Sequence, residues 1–399
     1  MARPVKGGRL LVRPGLVWRM AIRPDIDNAP VAWEFFAGGG LAGMGLAGFR
    51  VGFANDIDAM KARAFRANHP DIPFHEGDVW DLTPADLPGA PDLLWASSPC
   101  QDVSLAGARG GLEARRSGAF WGFWRLVRAL TAEGRGPRAV VLENVAGLLT
   151  SGEGRDFAAV CTVLAEAGYR VGALEMDAAL WLPQSRPRLF VVALREPGAP
   201  EQAGPAGPFH TARLIAAHDR LPQAVRARWA WWRLPAPPRR NAGLSALLSP
   251  DAAARWMPEA ETRALLALLS PLHRARLDQA LASGERTVGA GYRRVRTERG
   301  VKVQRLELRF DGLAGCLRTP AGGSSRQYVL VADEGRVRAR RLTGREAARL
   351  MGLPDSYALP SSESAALKLT GDAVAVPVVR ALSEGLLIPA LAAGGSLAA

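Results

Sequence analysis

The chain is short of cysteine, of lysine and of acid, and it has no long apolar run. Its three cysteines (Cys100, Cys161 and Cys316) stand far apart and odd in number, which excludes a disulfide framework and a CxxC zinc site. No apolar run reaches the roughly 18–20 residues of a membrane span, and nothing resembles a signal peptide. These absences predict a cytoplasmic protein with no membrane partner, its thiols free for chemistry. Acid is outnumbered, with 38 Asp and Glu against 51 Lys and Arg for a net charge of +13, and 47 of the 51 cations are arginine. An excess of that size favours a polyanionic partner, most simply nucleic acid. It is concentrated between Gly291 and Arg345, where 14 basic residues face 5 acidic ones.

What is present belongs to a folded protein. At 399 residues, 48% hydrophobic and 22% charged, the chain can bury full cores and build two or three domains. Residues 1–30 read as a basic flexible leader. Short apolar runs follow at Val31–Ala37, Val51–Asn55, Asp92–Ala96, Ala139–Leu142, Arg170–Met176 and Leu189–Leu194. Helical stretches lie between them at Leu41–Gly48, Ala59–Asn68, Gly118–Thr131 and Arg155–Ala167. That alternation predicts an α/β fold with a doubly wound, mostly parallel, Rossmann-like sheet over 31–204. Residues 205–335 read as a smaller mixed domain, helical at first and more β from Tyr292 to Val331. Helix returns in 336–399, at Thr343–Met351 and Ala373–Leu387.

The first run opens into Phe36-Ala-Gly38-Gly-Gly40-Leu-Ala-Gly43. Glycines at a parallel strand end let the backbone turn sharply and approach a ligand. The spacing matches a dinucleotide fingerprint, with Asp56 about where a ribose-binding acid belongs. Alone it means a nucleoside-bearing cofactor, with nicotinamide and adenosylmethionine both open. Asp78, ending the third strand, can meet an adenine amino group. Either aspartate is equally a helix N-cap on residue type alone.

The more specific pair lies further on. The apolar strand from Asp92 runs straight into Ser98-Pro99-Cys100-Gln101, and the proline holds Ser98 extended. The thiol is therefore expected at the carboxyl end of the strand, where open α/β sheets bind ligands. The next strand ends in Glu143. A thiolate adding to carbon 6 of a pyrimidine turns the ring into an enamine whose carbon 5 can attack an electrophilic methyl. A carboxylic acid at ring nitrogen 3 stabilises the charge that develops. Gln184-Ser-Arg186-Pro-Arg188 precedes the last strand and offers guanidinium groups to the thiolate or to an exocyclic oxygen.

With those residues in order, the chain resembles DNA (cytosine-5)-methyltransferases over about 31–195 and 336–385. The matching motifs also include Asn55-Asp56-Ile57-Asp58, Gly77-Asp78-Val79, Glu143-Asn-Val145, Arg341-Leu-Thr343-x-Arg345-Glu346 and Gly371-Asp-Ala-Val374. The resemblance implies that Cys100 is the nucleophile, Glu143 the acid at nitrogen 3, and Arg186 and Arg188 the base and active-site contacts. It places S-adenosylmethionine against Phe36, Gly38, Gly40, Asp56, Ile57, Asp78 and Val79, with Asp372 beside it. Two positions depart from the family pattern: Asp56 stands where Glu is usual, and Asp372 where Asn is common. Gly107–Gly111 would be a loop closing over substrate.

A base in a duplex must be flipped out to meet such a thiol, and a separate surface must grip the DNA. The resemblance puts that target reader in 205–335, where Arg318, Arg326 and Gln327, with Gln101 from the nucleophile loop, are the candidate DNA contacts. The implied protein is a monomeric enzyme on double-stranded DNA, with a cognate restriction endonuclease as a possible partner. Two alternatives stand beside it: a cytosine methyltransferase acting on RNA, and an idle sequence-specific DNA-binding protein. A nicotinamide dehydrogenase gives no account of Cys100 or Glu143.

Overall fold

All six apolar runs become strands. In the computed structural model the described residues are 28–99, 118–237, 239–319 and 326–395. The chain runs β1 (Val31–Phe35), α1 (Leu41–Gly45), β2 (Arg50–Asp56), α2 (Ala59–Asn68), β3 (Phe74–Glu76), β4 (Leu93–Ala96), α3 (Ala119–Ala132), β5 (Ala139–Asn144), α4 (Arg155–Glu166), β6 (Arg170–Asp177) and β7 (Pro187–Leu194). These strands form one sheet in the order β3-β2-β1-β4-β5-β7-β6. Every pairing is parallel except those of β7 with β5 and β6. The link from β6 to β7 is too short for the crossover of a dozen or more residues that parallel neighbours need. Helix α3 shows why the sheet is covered: Phe120, Phe123, Trp124, Val127 and Leu130 are buried at helical spacing on one stripe.

Beyond β7 come β8 (Glu201–Gln202), α5 (Ala212–His218), α6 (Gln223–Arg226) and β9 (Trp231–Trp232). The boundary expected at 204/205 is therefore not where the bodies part. Leu214, Ala217, Leu221, Val225 and Trp229 share a core with Phe157 and Val160 of α4, and Trp229 bridges to Val171 along the β6 edge. An open sheet edge needs cover, and this segment supplies it.

The second body holds α7 (Glu259–Leu266), α8 (Pro271–Ala282) and an antiparallel sheet of β10 (Thr287–Glu298), β11 (Val301–Arg309), β12 (Tyr328–Asp333) and β13 (Arg336–Arg341), ordered β11-β10-β12-β13. The boundary expected at 335 falls in the β12–β13 turn, so 336–341 belong to this sheet. One sheet face packs Leu306, Leu308, Tyr328 and Leu330 against Leu265 and Leu277 of α7 and α8. The other face, through Val288, Ala290, Val329 and Val331, joins the core of the large sheet.

The chain closes with α9 (Gly344–Leu350), α10 (Glu363–Asp372), α11 (Val376–Leu382) and α12 (Ile388–Gly395), with a π-helical turn at 383–387. The Ser383 hydroxyl donates to the Ala47 carbonyl at 2.7 Å, and α11 lies so close to α1 that a side chain at Gly45 would strike Val379. Helices from the C-terminal part of the chain thus pack into the first core beside β1 and α1. The stretch Glu363–Ala393 is long and apolar enough to cross a membrane by composition, and it is mostly buried within the fold.

Candidate active site

The carboxyl ends of β1, β2, β4 and β5 meet on one rim. At β4 the ladder continues to Ser97, whose N–H donates to the Phe35 carbonyl at 3.2 Å. The next carbonyl, that of buried Ser98, accepts from the Asn144 amide at 3.1 Å. The chain is therefore fixed on both sides as it enters Pro99. Cys100, Gln101 and the Gly107–Gly111 loop lie outside the described residues.

Glu143 ends β5 as a buried carboxylate, and Arg188 at the start of β7 brings its Nε to 3.1 Å from Glu143 Oε1. Antiparallel pairing of β5 with β7 makes this possible, because it sets Asn144 opposite Leu189, one residue from Arg188.

Arg186 does something different from what its motif implies. Its side chain is buried, and its guanidinium donates to the carbonyls of Leu317 and Gly371, both at 2.9 Å, and of Ala373. The Cys316 sulfur lies 3.4 Å from Nη1. Burial, and then the neighbouring Arg188 charge, push its pKa down to about 10. Arg186 is a clamp between the loop at Leu317 and the carboxyl end of α10, and does not face the rim as a base contact.

At β1 the backbone turns through left-handed conformations at Phe36 (φ 57°), Gly38 (58°) and Gly40 (80°). Only glycine takes these routinely, and Phe36 is the strained member. A Cβ added to Gly38 would meet only the Lys61 Cδ, at 3.9 Å, so space is open beside it. Asp56 accepts the Gly38 N–H and the Asp58 N–H, each at 2.8 Å, which ties the turn to β2. Next to it Ile57 is 67% exposed. Asp78 accepts the Trp80 N–H at 3.0 Å, bracing a turn with no helix behind it. Val79 does not line the opening with its side chain, which is buried with Phe120 and Phe123. Asp372 reaches the same rim, paired with Lys61 at 2.8 Å and accepting the Thr319 hydroxyl. Lys61 thus balances the charge that Asp carries there and Asn would not.

The model of the C-5 cytosine-specific DNA methylases matches residues 32–387. The chain belongs to that family. Among curated proteins it is 26% identical over 375 residues to the type II methyltransferase M.HpaII of Haemophilus parainfluenzae, covering 86% of this chain and 87% of that one. It is 28% identical over 358 residues to M.NgoBI of Neisseria gonorrhoeae, covering 87% and 92%. A solved structure of S. pombe Dnmt2 methyltransferase superposes with TM-score 0.55 at 17% identity, over 88% of this chain and 96% of that one. That last likeness is one of fold.

In this methylase, the candidate DNA contacts of the second body divide. Arg318 is exposed. Arg326 donates to the Ser364 hydroxyl of α10. Gln327 is buried: its amide donates to the Tyr292 hydroxyl at 2.8 Å and its oxygen accepts the Gly315 N–H at 3.1 Å. It braces a loop and is not free to read a base. Of the 14 basic residues counted between Gly291 and Arg345, Arg294, Arg296, Arg305, Arg309, Arg338 and Arg340 are in ion pairs, so the net positive charge of the block overstates its free cations.

Two residues whose roles were not assigned from the sequence hold the methylase site together. Asn144 fixes the approach to Cys100. Gln184, fully buried, donates to the Leu350 carbonyl at 2.6 Å and accepts the Leu317 N–H at 3.1 Å. Both stand inside quoted motifs, but their partners lie 46 to 166 residues away. A local signal does exist for Glu346, which follows Thr343 at capping-box spacing and is buried between Arg340 and the Ser249 N–H.

Proposed function

We propose that this methylase transfers a methyl group from S-adenosylmethionine to carbon 5 of a flipped-out cytosine in duplex DNA, through a covalent adduct of Cys100 with carbon 6. The reading rests on one arrangement: a buried carboxylate paired with a guanidinium at the end of β5, beside the strand end from which Ser98-Pro99 leads to Cys100. Cys100 supplies the nucleophile. Glu143 holds a proton at ring nitrogen 3 while negative charge builds on the ring, and Arg188 fixes the orientation of that carboxyl group. After methylation the carbon 5 proton leaves and the thiolate is expelled, restoring the aromatic ring.

The rim residues fit the cofactor. Open space at Gly38, the exposed Ile57 and half-buried Phe36 offer apolar surface to an adenosine base. Asp56 uses two of about four acceptor sites on backbone N–H groups and keeps the others for ribose hydroxyls. Asp78 and Gly40 complete that side of the rim. When bound, the cofactor supplies an electrophilic methyl on a sulfonium. We read the enzyme as a cytoplasmic monomer of a restriction-modification system or mobile element, with a cognate restriction endonuclease as its partner.

The test is a duplex carrying 5-fluorocytosine at the methylated position, whose fluorine cannot leave as a proton does. Wild-type protein with cofactor should form an adduct that survives denaturing electrophoresis, and Cys100→Ser should form none. No adduct with any duplex would overturn the covalent route.

A further inference from the structure

Strands β10 and β11 outrun their sheet. β10 pairs with β12 only from Thr287 to Gly291, yet it continues with β11 alone to the Glu298–Val301 pair. The seven residues 292–298 therefore project as a two-stranded ribbon, about 23 Å long at 3.3 Å per residue. Its tip is a tight turn with Arg299 (φ 49°) and Gly300 (φ 79°) both left-handed, the geometry of a two-residue hairpin turn. Val295 and Val301 are 59% and 62% exposed. A bare hairpin of this kind has little stability of its own, and beyond Leu306 at its root, which packs in the small core, it adds nothing to either core.

Its position and its chemistry are informative. Tyr292, at the root, donates its hydroxyl to the Cys316 carbonyl at 2.6 Å, and the Cys316 sulfur lies against Arg186 at the seam between the two bodies. The ribbon leaves the fold from that seam. Residues facing each other across the ribbon share a face, so Tyr292, Arg294, Arg296, Val303 and Arg305 continue the sheet face that lower down packs on the catalytic core through Val288 and Ala290. On that face Glu307 pairs with Arg294 at 3.0 Å and with Arg296, and Glu298 holds Arg305. A cleft of about 800 Å³ opens at the root, with Arg276, Arg294 and Arg309 on its walls.

We propose that this ribbon enters the major groove of the substrate duplex, with Arg296 reading a base edge and Glu307 a positioning residue that presets the guanidinium. An antiparallel ribbon fits the groove, which is about 12 Å wide and 8.5 Å deep, and arginine forks onto guanine O6 and N7. Exposed Arg299 and Lys302 at the tip supply phosphate contacts. The inference rests on the function proposed above, since it needs duplex DNA as substrate.

Bisulfite mapping of plasmid DNA methylated by the wild type first defines the site, and a 30-base-pair duplex containing it is the probe. Arg296→Ala should bind that duplex roughly 5- to 150-fold more weakly and methylate sites with one position relaxed, with cofactor affinity and melting temperature unchanged. Glu307→Gln should relax the same position, and Arg296→Lys should not restore it, because lysine lacks the fork. Unchanged affinity and methylation pattern would overturn the proposal. So would equal weakening on cognate and random duplexes with the pattern kept, which means phosphate contact alone, or loss of a bound protein with DNA binding intact. If the wild type methylates no duplex, the parent function has failed, and that is seen before any variant is made.

Discussion

The two sheets handle charge in opposite ways. At the rim and core of the large sheet, the ionisable groups that matter to the site are buried with few charged partners: Glu34 sits inside β1, Glu143 has one cation, and Arg186, just before β7, has carbonyls and a thiol. In the antiparallel sheet and its braces, charges are mostly paired near the surface, often two cations to one acid: Asp251 holds Arg286 and Arg338, and Glu307 holds Arg294 and Arg296, while Arg340 and Glu346 form one buried pair. A lone buried charge is costly to maintain and sensitive to its surroundings, which suits chemistry. Paired surface charges contribute little to stability, about 0–1 kcal/mol each, but they fix where guanidinium groups point.

The contrast is sharpest where one charge does chemistry and a near neighbour does architecture. Glu143→Gln keeps shape and removes the proton, so kcat should fall by roughly 10²- to 10⁴-fold, with cofactor affinity and melting temperature close to wild type. Equal losses in activity and stability would make Glu143 a structural group like its neighbours. Arg186→Ala should show the reverse pattern. It strips buried carbonyls at Leu317, Gly371 and Ala373 of their donor, at about 1–3 kcal/mol for each group left unmade. A loss of about 3 kcal/mol or more in chemical denaturation is expected, with DNA and cofactor binding weakened together because the 317 loop and the end of α10 are both released. A stable Arg186→Ala that fails only in turnover would return Arg186 to the active site.

This pair also marks how far the sequence could be read. Helix α2 comes out at its expected bounds because Asp58 caps it locally, accepting from Met60 and Lys61 N–H. Glu143 was legible because strand ends follow from apolar runs and short connections. Arg186 and Arg188 share one short motif, and nothing local separates them. What divides them is that Arg186 meets backbone carbonyls 131 to 187 residues away. Gln327 is a milder case, its partners Tyr292 and Gly315 lying 35 and 12 residues away, and the segment 205–232 carries an apolar face whose target, the β6 edge, is invisible in its own sequence. Counting charge between 291 and 345 found the cations and five acids, but not which of them pair, nor Asp251 and Glu346 outside the block, nor the ribbon, which depends on where β12 stops pairing.

The smallest expected effect tests the difference between the sheets directly, through pH. Burial in β1 raises the Glu34 carboxyl to about 8, with the Gly43 and Ala42 N–H bonds only partly offsetting it. A raised folded-state pKa gives stability that is fully present below the ordinary value of 4.5 and is lost as pH climbs through about 8. For Asp251 and Glu346 burial also pushes upward, but arginine hydrogen bonds outweigh it and both end below their ordinary values. Their contribution is present above those values and is lost as pH falls through the lowered ones. Glu34 should therefore weaken the β1–β2 part of the large sheet toward alkaline pH, while Asp251 and Glu346 weaken the small sheet toward acid. Glu175 does the same as that second pair at the β6 edge of the large sheet, where burial is outweighed by Arg213 and Thr211. Glu34→Gln cannot ionise, so its melting temperature should hold between pH 5 and 8 while that of the wild type declines by a few degrees, and the two should agree near pH 4.5. Amide hydrogen exchange localises the change: at pH 8 the β1–β2 amides of the wild type should lose protection relative to the variant, and those of β10–β12 should not. If both sheets respond alike, the buried carboxyl is not what separates them.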